Sequence, residues 1–214
     1  MLFGDGSAAA MAAADAAKAA VRSVENFDWT FIALLALVVN GVYLVQIQKK
    51  NWNGIAAALA LYGVHWLYEI ANAVIAHVTG YALWHVSPES TTFILLVGVS
   101  WELSLMFSTA GFMVHILPED KDAKIFGINN RIFGAVAAAL FFSVFEIFLA
   151  STPAFIWVYK WWGMLPVFIT TYIPFFLAAF LIYDKPRNTQ KKFLGIVWGL
   201  VAVLLVTLIP LGVI

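Results

Sequence analysis

The sequence predicts an all-α, polytopic membrane helix bundle of six transmembrane helices, with both termini on the non-cytoplasmic side. Three observations lead there. Of the 214 residues, 63% are hydrophobic and only 11% are charged, too few charges to cover a soluble domain of this size. The apolar residues fall in runs of roughly 20, the length that spans a hydrocarbon core as a helix. A barrel strand, by contrast, is about ten residues of alternating polarity. Finally, basic residues gather in alternate connections, as the positive-inside rule requires of a multi-pass chain.

Taken in order, residues 1–28 come first and include the stretch SAAAMAAADAAKAAVRSVEN, which is alanine-rich and helix-prone. Asp5 stands where a signal peptide carries basic residues, and no compact apolar region precedes a cleavage site. A tail is expected here, either disordered or a helix at the membrane interface, its alanine face giving weak affinity for lipid. Residues 29–214 form a single transmembrane domain, with spans near 29–48, 54–79, 92–116, 131–151, 164–183 and 193–213.

The first span opens at Trp29 and is followed by Lys49 and Lys50. The third is followed by Lys121, Lys124 and Arg131, and the fifth by Lys185, Arg187, Lys191 and Lys192. The opposite side carries only Lys18, Arg22 and Lys160, and nine basic residues against three orient the chain. Trp29, Tyr81, Trp84, Trp157, Tyr159, Trp161 and Trp162 fit an aromatic belt on the outer side, and Trp52 marks the inner one. The fifth span holds Pro166 and Pro174; Pro174 removes the hydrogen bond to the Thr170 carbonyl and predicts a bend there. The sixth span is nearly featureless, with Pro210 near its end.

Several function classes drop out. There is no cysteine, which removes disulfides, thiolate metal sites and a cysteine nucleophile. Formal net charge is zero and no basic stripe is present, so nucleic acid is not an expected partner. The expected partners are the lipid bilayer and a lipophilic small molecule. No cofactor is required by any motif, and oligomeric state is not readable.

What remains is the polar content of the spans. The second, LYGVHWLYEIANAVIAH, carries Tyr62, His65, Glu69 and Asn72 at spacings of three, four and three. At about 100° per residue these four lie within an arc of about 80°, one polar face on an otherwise apolar helix. Glu102 and Glu146 fall in the third and fourth spans. A charge at the bilayer centre costs at least ~2.5 kcal/mol, so such groups face a bundle interior. At ~1.5 Å per residue the three carboxyls lie within roughly 8 Å in depth, and they are expected to meet around one cavity in the outer half of the membrane. Trp66, Trp101 and Tyr172 supply aromatic walls.

Several readings suit such a cluster. Buried carboxyls with a histidine and aromatic faces suit acid–base chemistry through a carbocation. Intramembrane carboxyls also serve proton or ion transporters, and a hydrogen-bonded network serves a structural subunit of a membrane complex. A metal site of three Glu and one His lacks the Glu-x-x-His elements of carboxylate-bridged iron bundles. Heme would need two deep histidines, and His85 and His115 fall in or beside loops.

HWLYE, residues 65–69, is similar to the motif of emopamil-binding-type sterol isomerases, the EXPERA group. That resemblance implies a small all-helical membrane enzyme that shifts a sterol double bond through a carbocation, with His65, Glu69 and Glu102 as the acid–base set. SWEL, residues 100–103, resembles the Trp-Glu element of small integral membrane terpene cyclases, which begin by protonating an isoprenoid. The chain departs from the first group in its sixth span and in Glu146, and from the second in lacking a buried Asp in its last spans, since Asp184 lies at the inner end. The expectation is a membrane-embedded isomerase or cyclase (lyase) of isoprenoid or sterol lipid metabolism. His65, Glu69, Glu102 and Glu146 would be catalytic, with Tyr62, Trp66, Asn72, Trp101 and Tyr172 against the substrate.

Overall fold

The structure is a computed structural model that describes residues 2–25 and 27–214. Met1 and Asn26, both within the expected tail, lie outside the described residues. Among the described residues, five helices are long and apolar enough to cross a membrane. They are α2 (Trp29–Gln48), α3 (Trp52–Thr79), α5 (Asn130–Ala150), the continuous helix Met164–Tyr183, and α8 (Arg187–Leu208). Ahead of them lies α1 (Ala8–Ala19). Between α3 and α5 run α4 (Trp101–Ala110) and a 3-10 extension, Gly111–Ile116. The helix 164–183 is wound in three parts: α6 (Met164–Val167), a π turn (Phe168–Tyr172) and α7 (Ile173–Tyr183).

The middle of the bundle is α3, packed against α7, α8 and α4 with its 3-10 extension. Small residues allow this crowding: Ala56, Ala57, Ala58, Ala60 and Gly63 are all buried. A Cβ on Gly111 would fall 2.5 Å from the Ala57 carbonyl oxygen, and one on Gly63 would meet Val197 of α8. Close backbone approach of this kind supplies the packing that lipid-facing helices cannot get from hydrophobic exclusion. By contrast α2 is peripheral, with Ile32 its only buried residue among those described.

Polar contacts define two ends. At the base, Asn51 meets His115 at 2.8 Å, Gln190 donates to Asn53 Oδ1 at 3.0 Å, and Arg187 donates to the Trp52 carbonyl at 3.2 Å. Arg131, 3% exposed, forks onto Asp184 at 2.6 and 3.1 Å and also donates to the Pro118 carbonyl at 2.9 Å. A short hairpin, β4 (Lys124–Ile125) with β5 (Ile128–Asn129), closes the loop before α5.

The opposite end is a roof of connections. Strand β1 (His85–Val86), from the α3–α4 loop, pairs antiparallel with β6 (Phe155–Ile156), from the α5–α6 loop. Beside it, β2 (Ile94–Leu96) pairs with β3 (Val99–Ser100). The N-terminal segment lies over these loops. Gly4 N–H donates to the Trp162 carbonyl and Met164 N–H to the Leu2 carbonyl, at 2.9 and 3.0 Å. Ala14 and Ala17 of α1 are fully buried, Ala14 against Ile156 and Val158. Lys18 bridges Asp15 at 2.7 Å, donates to the Gly80 carbonyl at 2.7 Å and sits over the Tyr81 ring. The expected tail is thus packed on the body: its alanine stripe meets protein, where flat small side chains fit closely. The C-terminus arrives at this end too, Arg22 donating to the Ile214 backbone oxygen at 3.0 Å.

Three expectations need correction. The run from residue 92 does not begin a long helix; residues 94–100 form the β2–β3 hairpin, and helix starts only at Trp101, where Ser100 Oγ accepts the Leu103 N–H. Leu96 and Val99 are buried against Ile70 and Val201, and a short continuous apolar run cannot be told from a buried helix by periodicity. The last helix begins at Arg187, not near 193, directly after Pro186. And the outer aromatic belt is only partly a belt. Trp29 and Trp161 are exposed, at 69% and 60%, but Trp84, Trp157 and Trp162 are buried.

The Arg131–Asp184 fork generates a prediction. Removing one partner of a buried pair costs about 3–5 kcal/mol, and Arg131→Met should therefore lower unfolding free energy in detergent by about 3 kcal/mol. A loss below about 1 kcal/mol would show the pair to be ornamental.

Candidate functional site

The polar stripe on α3 faces inward, as its composition requires: His65, Glu69 and Asn72 are 1%, 4% and 1% exposed. On α5, Glu146 is 4% exposed, one turn after the buried Ser143, whose hydroxyl is turned back to the Ala139 carbonyl. Glu69 and Glu146 line one cavity together with His65, Thr171 and Tyr172. Its remaining walls are aromatic and aliphatic, among them Phe107, Phe142, Phe155 and Phe175. Its volume is about 40 Å³ for water-sized centres, room for about three waters by that measure.

Each carboxyl is held from the roof by an indole. Trp84 Nε1 donates to both Glu69 oxygens at 3.2 Å, and Trp157 Nε1 donates to Glu146 Oε1 at 3.0 Å. Trp84 precedes β1 and Trp157 follows β6, so the pairing of those strands brings the two residues to the same end of the ladder, and the Trp84 ring stacks on Trp162 at 5.7 Å. Asn72 fixes the first loop: its Nδ2 donates to the Trp84 carbonyl at 2.8 Å and its Oδ1 accepts the Leu83 N–H at 2.8 Å. Gly98, in the β2–β3 turn, lies so near that a Cβ there would overlap Asn72, Trp84 and Glu69.

His65 is held by rings instead of hydrogen bonds. It stacks on Phe107 at 4.2 Å between centroids and meets the edge of Phe175 at 5.8 Å. Its Nε2 is 3.4 Å from Glu69 Oε1, beyond good hydrogen-bond length, and both ring nitrogens are buried without a hydrogen-bond partner. On the facing helix the π turn does the positioning. Pro174 has no N–H, and the ladder shifts so that Ile173 N–H reaches the Phe168 carbonyl. The extra residue in this turn brings Thr171 and Tyr172 to the cavity, where Tyr172 lines the wall with Glu146. Interrupted winding of this type is frequent at functional sites.

The cavity opens sideways. Met106 of α4 and Phe145 of α5 line it while 37% and 48% exposed, and α4 packs on α2 and α3 whereas α5 packs on α7. Towards the base it is stopped by Phe175, Phe176 and Phe180, 2%, 0% and 1% exposed.

The expected meeting of three carboxyls is a meeting of two. Glu102 lies in the first turn of α4, where its Oε1 accepts the Thr92 N–H at 2.6 Å, and it lines an open groove with Asp28 and Glu89. The late start of α4 explains this: it puts Glu102 in the first helical turn, beside the loop that carries Thr92, so its carboxyl meets that loop's backbone and not the chamber. Among the expected substrate contacts, Tyr172 alone lines the cavity. Tyr62 bonds Ser104 Oγ at 2.6 Å, Trp66 packs on the Ile70 cluster, Asn72 is engaged in anchoring the roof, and Trp101 opens α4 outside the cavity. Trp84, Trp157, Gly98 and Thr171 are not among the expected site residues, the two tryptophans reading in sequence as belt anchors. Only the depth of the indoles relative to the two glutamates offered any signal. Among the described residues, no group of three or more His, Asp or Glu is placed to hold a metal ion.

Fold and composition together define a multi-pass α-helical integral membrane protein with a polar chamber enclosed in its bundle. The chain belongs to a family described as an uncharacterized membrane protein family, whose model matches residues 11–210. It is 39% identical over 201 residues to an uncharacterized protein of Archaeoglobus fulgidus, covering 92% of this chain and 94% of that one. No solved structure matches. That description names neither a sterol isomerase nor a terpene cyclase.

Two predictions arise from the roof. Gly98→Ala should separate Trp84 from Glu69, shifting the buried-tryptophan emission to the red and destabilising by about 1–3 kcal/mol through overpacking; unchanged emission would refute the close approach. The second concerns His85, which is fully buried and whose Nε2 accepts the Ala82 N–H at 3.2 Å. Burial, reinforced by nearby Lys18 and opposed by Asp15, holds its pKa down at about 4, against an ordinary 6.5. Between those pH values the unfolded chain binds more protons, so stability is fully present above about 6.5 and falls as pH drops, by about 3 kcal/mol at pH 4. Unfolding curves across this range should show the slope, and His85→Asn should flatten it.

Proposed function

We propose that this protein is a membrane-embedded acid–base enzyme, an isomerase or cyclase, acting on a chain-like isoprenoid lipid that enters from the bilayer. The observation carrying this reading is the pairing of two helix carboxyls and an unpartnered imidazole in one aromatic chamber that is stopped towards the base and open between α4 and α5. A dead-ended chamber suits chemistry better than passage, so the reading is preferred to carboxylate-coupled transport.

In this reading Glu146, as the neutral acid, gives its proton to one carbon of a double bond, and the positive charge develops on the neighbouring carbon. The faces of Phe107, Phe142 and Tyr172 stabilise that charge. Glu69, with His65 beside it, removes a proton from a flanking carbon, and the electron pair left behind closes the shifted double bond. The proton returns across the chamber to Glu146, and no oxidant or cofactor is consumed. Where a second double bond of the same lipid reaches the cation first, a ring closes before the proton is lost. The chamber volume suits a slim alkenyl segment better than a rigid four-ring body, which favours the isoprenoid over the sterol.

The resemblance of HWLYE to the sterol isomerase motif agrees with His65 and Glu69 in these roles. The resemblance of SWEL to the terpene cyclases has less support, because Glu102 turns to the Thr92 backbone.

We further propose that the bundle crosses the membrane six times. With its 3-10 extension, α4 is about 27 Å long, close to the ~30 Å hydrocarbon thickness. The base carries the nine basic residues Lys49, Lys50, Lys121, Lys124, Arg131, Lys185, Arg187, Lys191 and Lys192, and by the positive-inside rule this supports a cytoplasmic base with both termini on the other side.

Lipid extracts from cells expressing each variant test the enzyme. Glu69→Gln and Glu146→Gln should each reduce the product by about 100-fold or more, the contribution typical of a positioned acid or base, whereas Glu102→Gln should retain most activity. Identical lipid profiles with and without the intact protein would reject the reading.

A further inference from the structure

Three buried polar atoms facing the chamber have no hydrogen-bond partner: Nδ1 and Nε2 of His65, and Oγ1 of Thr171. Their residues are 1% and 5% exposed, so bulk water does not reach them. Their residues line the same chamber, and Phe175, one helical turn after Thr171, lies edge-on to the His65 ring. A hydrocarbon filling this space would leave Nδ1 of His65 and Oγ1 of Thr171 with the desolvation penalty of unpaired groups, and Nε2 of His65 with only the long 3.4 Å approach to Glu69. The two carboxyls here are already engaged, Glu69 by Trp84 and Glu146 by Trp157.

We propose that the chamber binds the hydroxyl group of its lipid, so that the substrate class is a long-chain isoprenoid alcohol and not an isoprenoid hydrocarbon. This rests on reading the chamber as the enzyme's lipid site. The chemistry matches group by group. An alcohol oxygen offers two acceptor sites and one donor. A neutral imidazole offers one N–H and one bare nitrogen, and the threonine hydroxyl gives or accepts as needed. The position suits an amphiphile as well. The chamber lies directly under the roof, whose two indoles reach its carboxyls, so a polar group at the head of a lipid would enter it from the roof half of the bundle. The opening between Met106 and Phe145 leads to the flank of the bundle, where the hydrocarbon chain trails out among exposed Phe141 and Phe148.

The test uses full-length protein in nanodiscs and two probes of equal chain length, farnesol and the hydrocarbon farnesene, with binding followed by intrinsic tryptophan fluorescence and by the shift in unfolding temperature. Farnesol should bind about tenfold or more tightly than farnesene. Thr171→Val and His65→Phe should each bring the two probes close to equal affinity, while Thr171→Ser keeps the preference and shows that the hydroxyl, and not the fold, is responsible. Equal affinity of the intact protein for both probes, or a preference undiminished in Thr171→Val and His65→Phe, would overturn the proposal. Catalysis is scored separately: farnesol bound preferentially yet recovered unchanged would remove the acid–base reading and leave the alcohol site standing.

Discussion

The organising constraint is that a carboxyl buried in a bundle surrounded by lipid must find its hydrogen-bond donors within the protein. Here both are supplied from outside the helices. Trp84 and Trp157 descend from two loops to Glu69 and Glu146, and much of the outer architecture exists to hold those indoles in place. Strand pairing of β1 with β6 ties the loops together, Asn72 clamps one of them, and Gly98 lets a hairpin turn lie directly over the junction. The N-terminal segment then seals the assembly through Gly4 and the alanine face of α1. The chamber is therefore built by both layers, helices contributing the acids and loops contributing the donors that orient them.

This division explains what the amino-acid sequence disclosed. The helices were legible because their apolar length is dictated by the bilayer, and the α3 stripe because four polar residues on one face admit only an inward orientation. Glu146 and Tyr172 were legible for the same reason: polar groups at depth have nowhere else to go. The loop residues were not. A tryptophan at the end of a span reads as an interfacial anchor, and whether its ring turns to the headgroups or down to a carboxylate depends on strand pairing between segments some 70 residues apart. Thr171 was hidden by the π turn, since counting at 100° per residue places it on a different face once one residue is inserted. Glu102 was misplaced by the same apolar run that disguised the β2–β3 hairpin. Moving the helix start to Trp101 changes a mid-span carboxylate into a first-turn one.

His65 illustrates how packing and chemistry combine in the chamber. Stacking on Phe107 and the edge of Phe175 fix the ring plane without engaging either nitrogen. An imidazole oriented by hydrogen bonds has its nitrogens occupied; one clasped by rings is fixed in position with both nitrogens left without a hydrogen bond. In the proposed enzyme that suits a group that shares a proton with Glu69 and meets an incoming hydroxyl. It also places the cost of the unpaired nitrogens in the resting protein, to be relieved when a polar partner arrives.

The π turn at Phe168–Tyr172 has an evolutionary corollary. A helix with one surplus residue lies a single-codon deletion away from regular winding. That deletion would rotate everything on one side of the turn by about a third of a circle, sweeping Thr171 and Tyr172 off the wall while leaving the bundle's helices and their lengths nearly intact. Ancestry could thus separate scaffold from chemistry in one step: a chain of this lineage missing that residue would keep the architecture and lose the site.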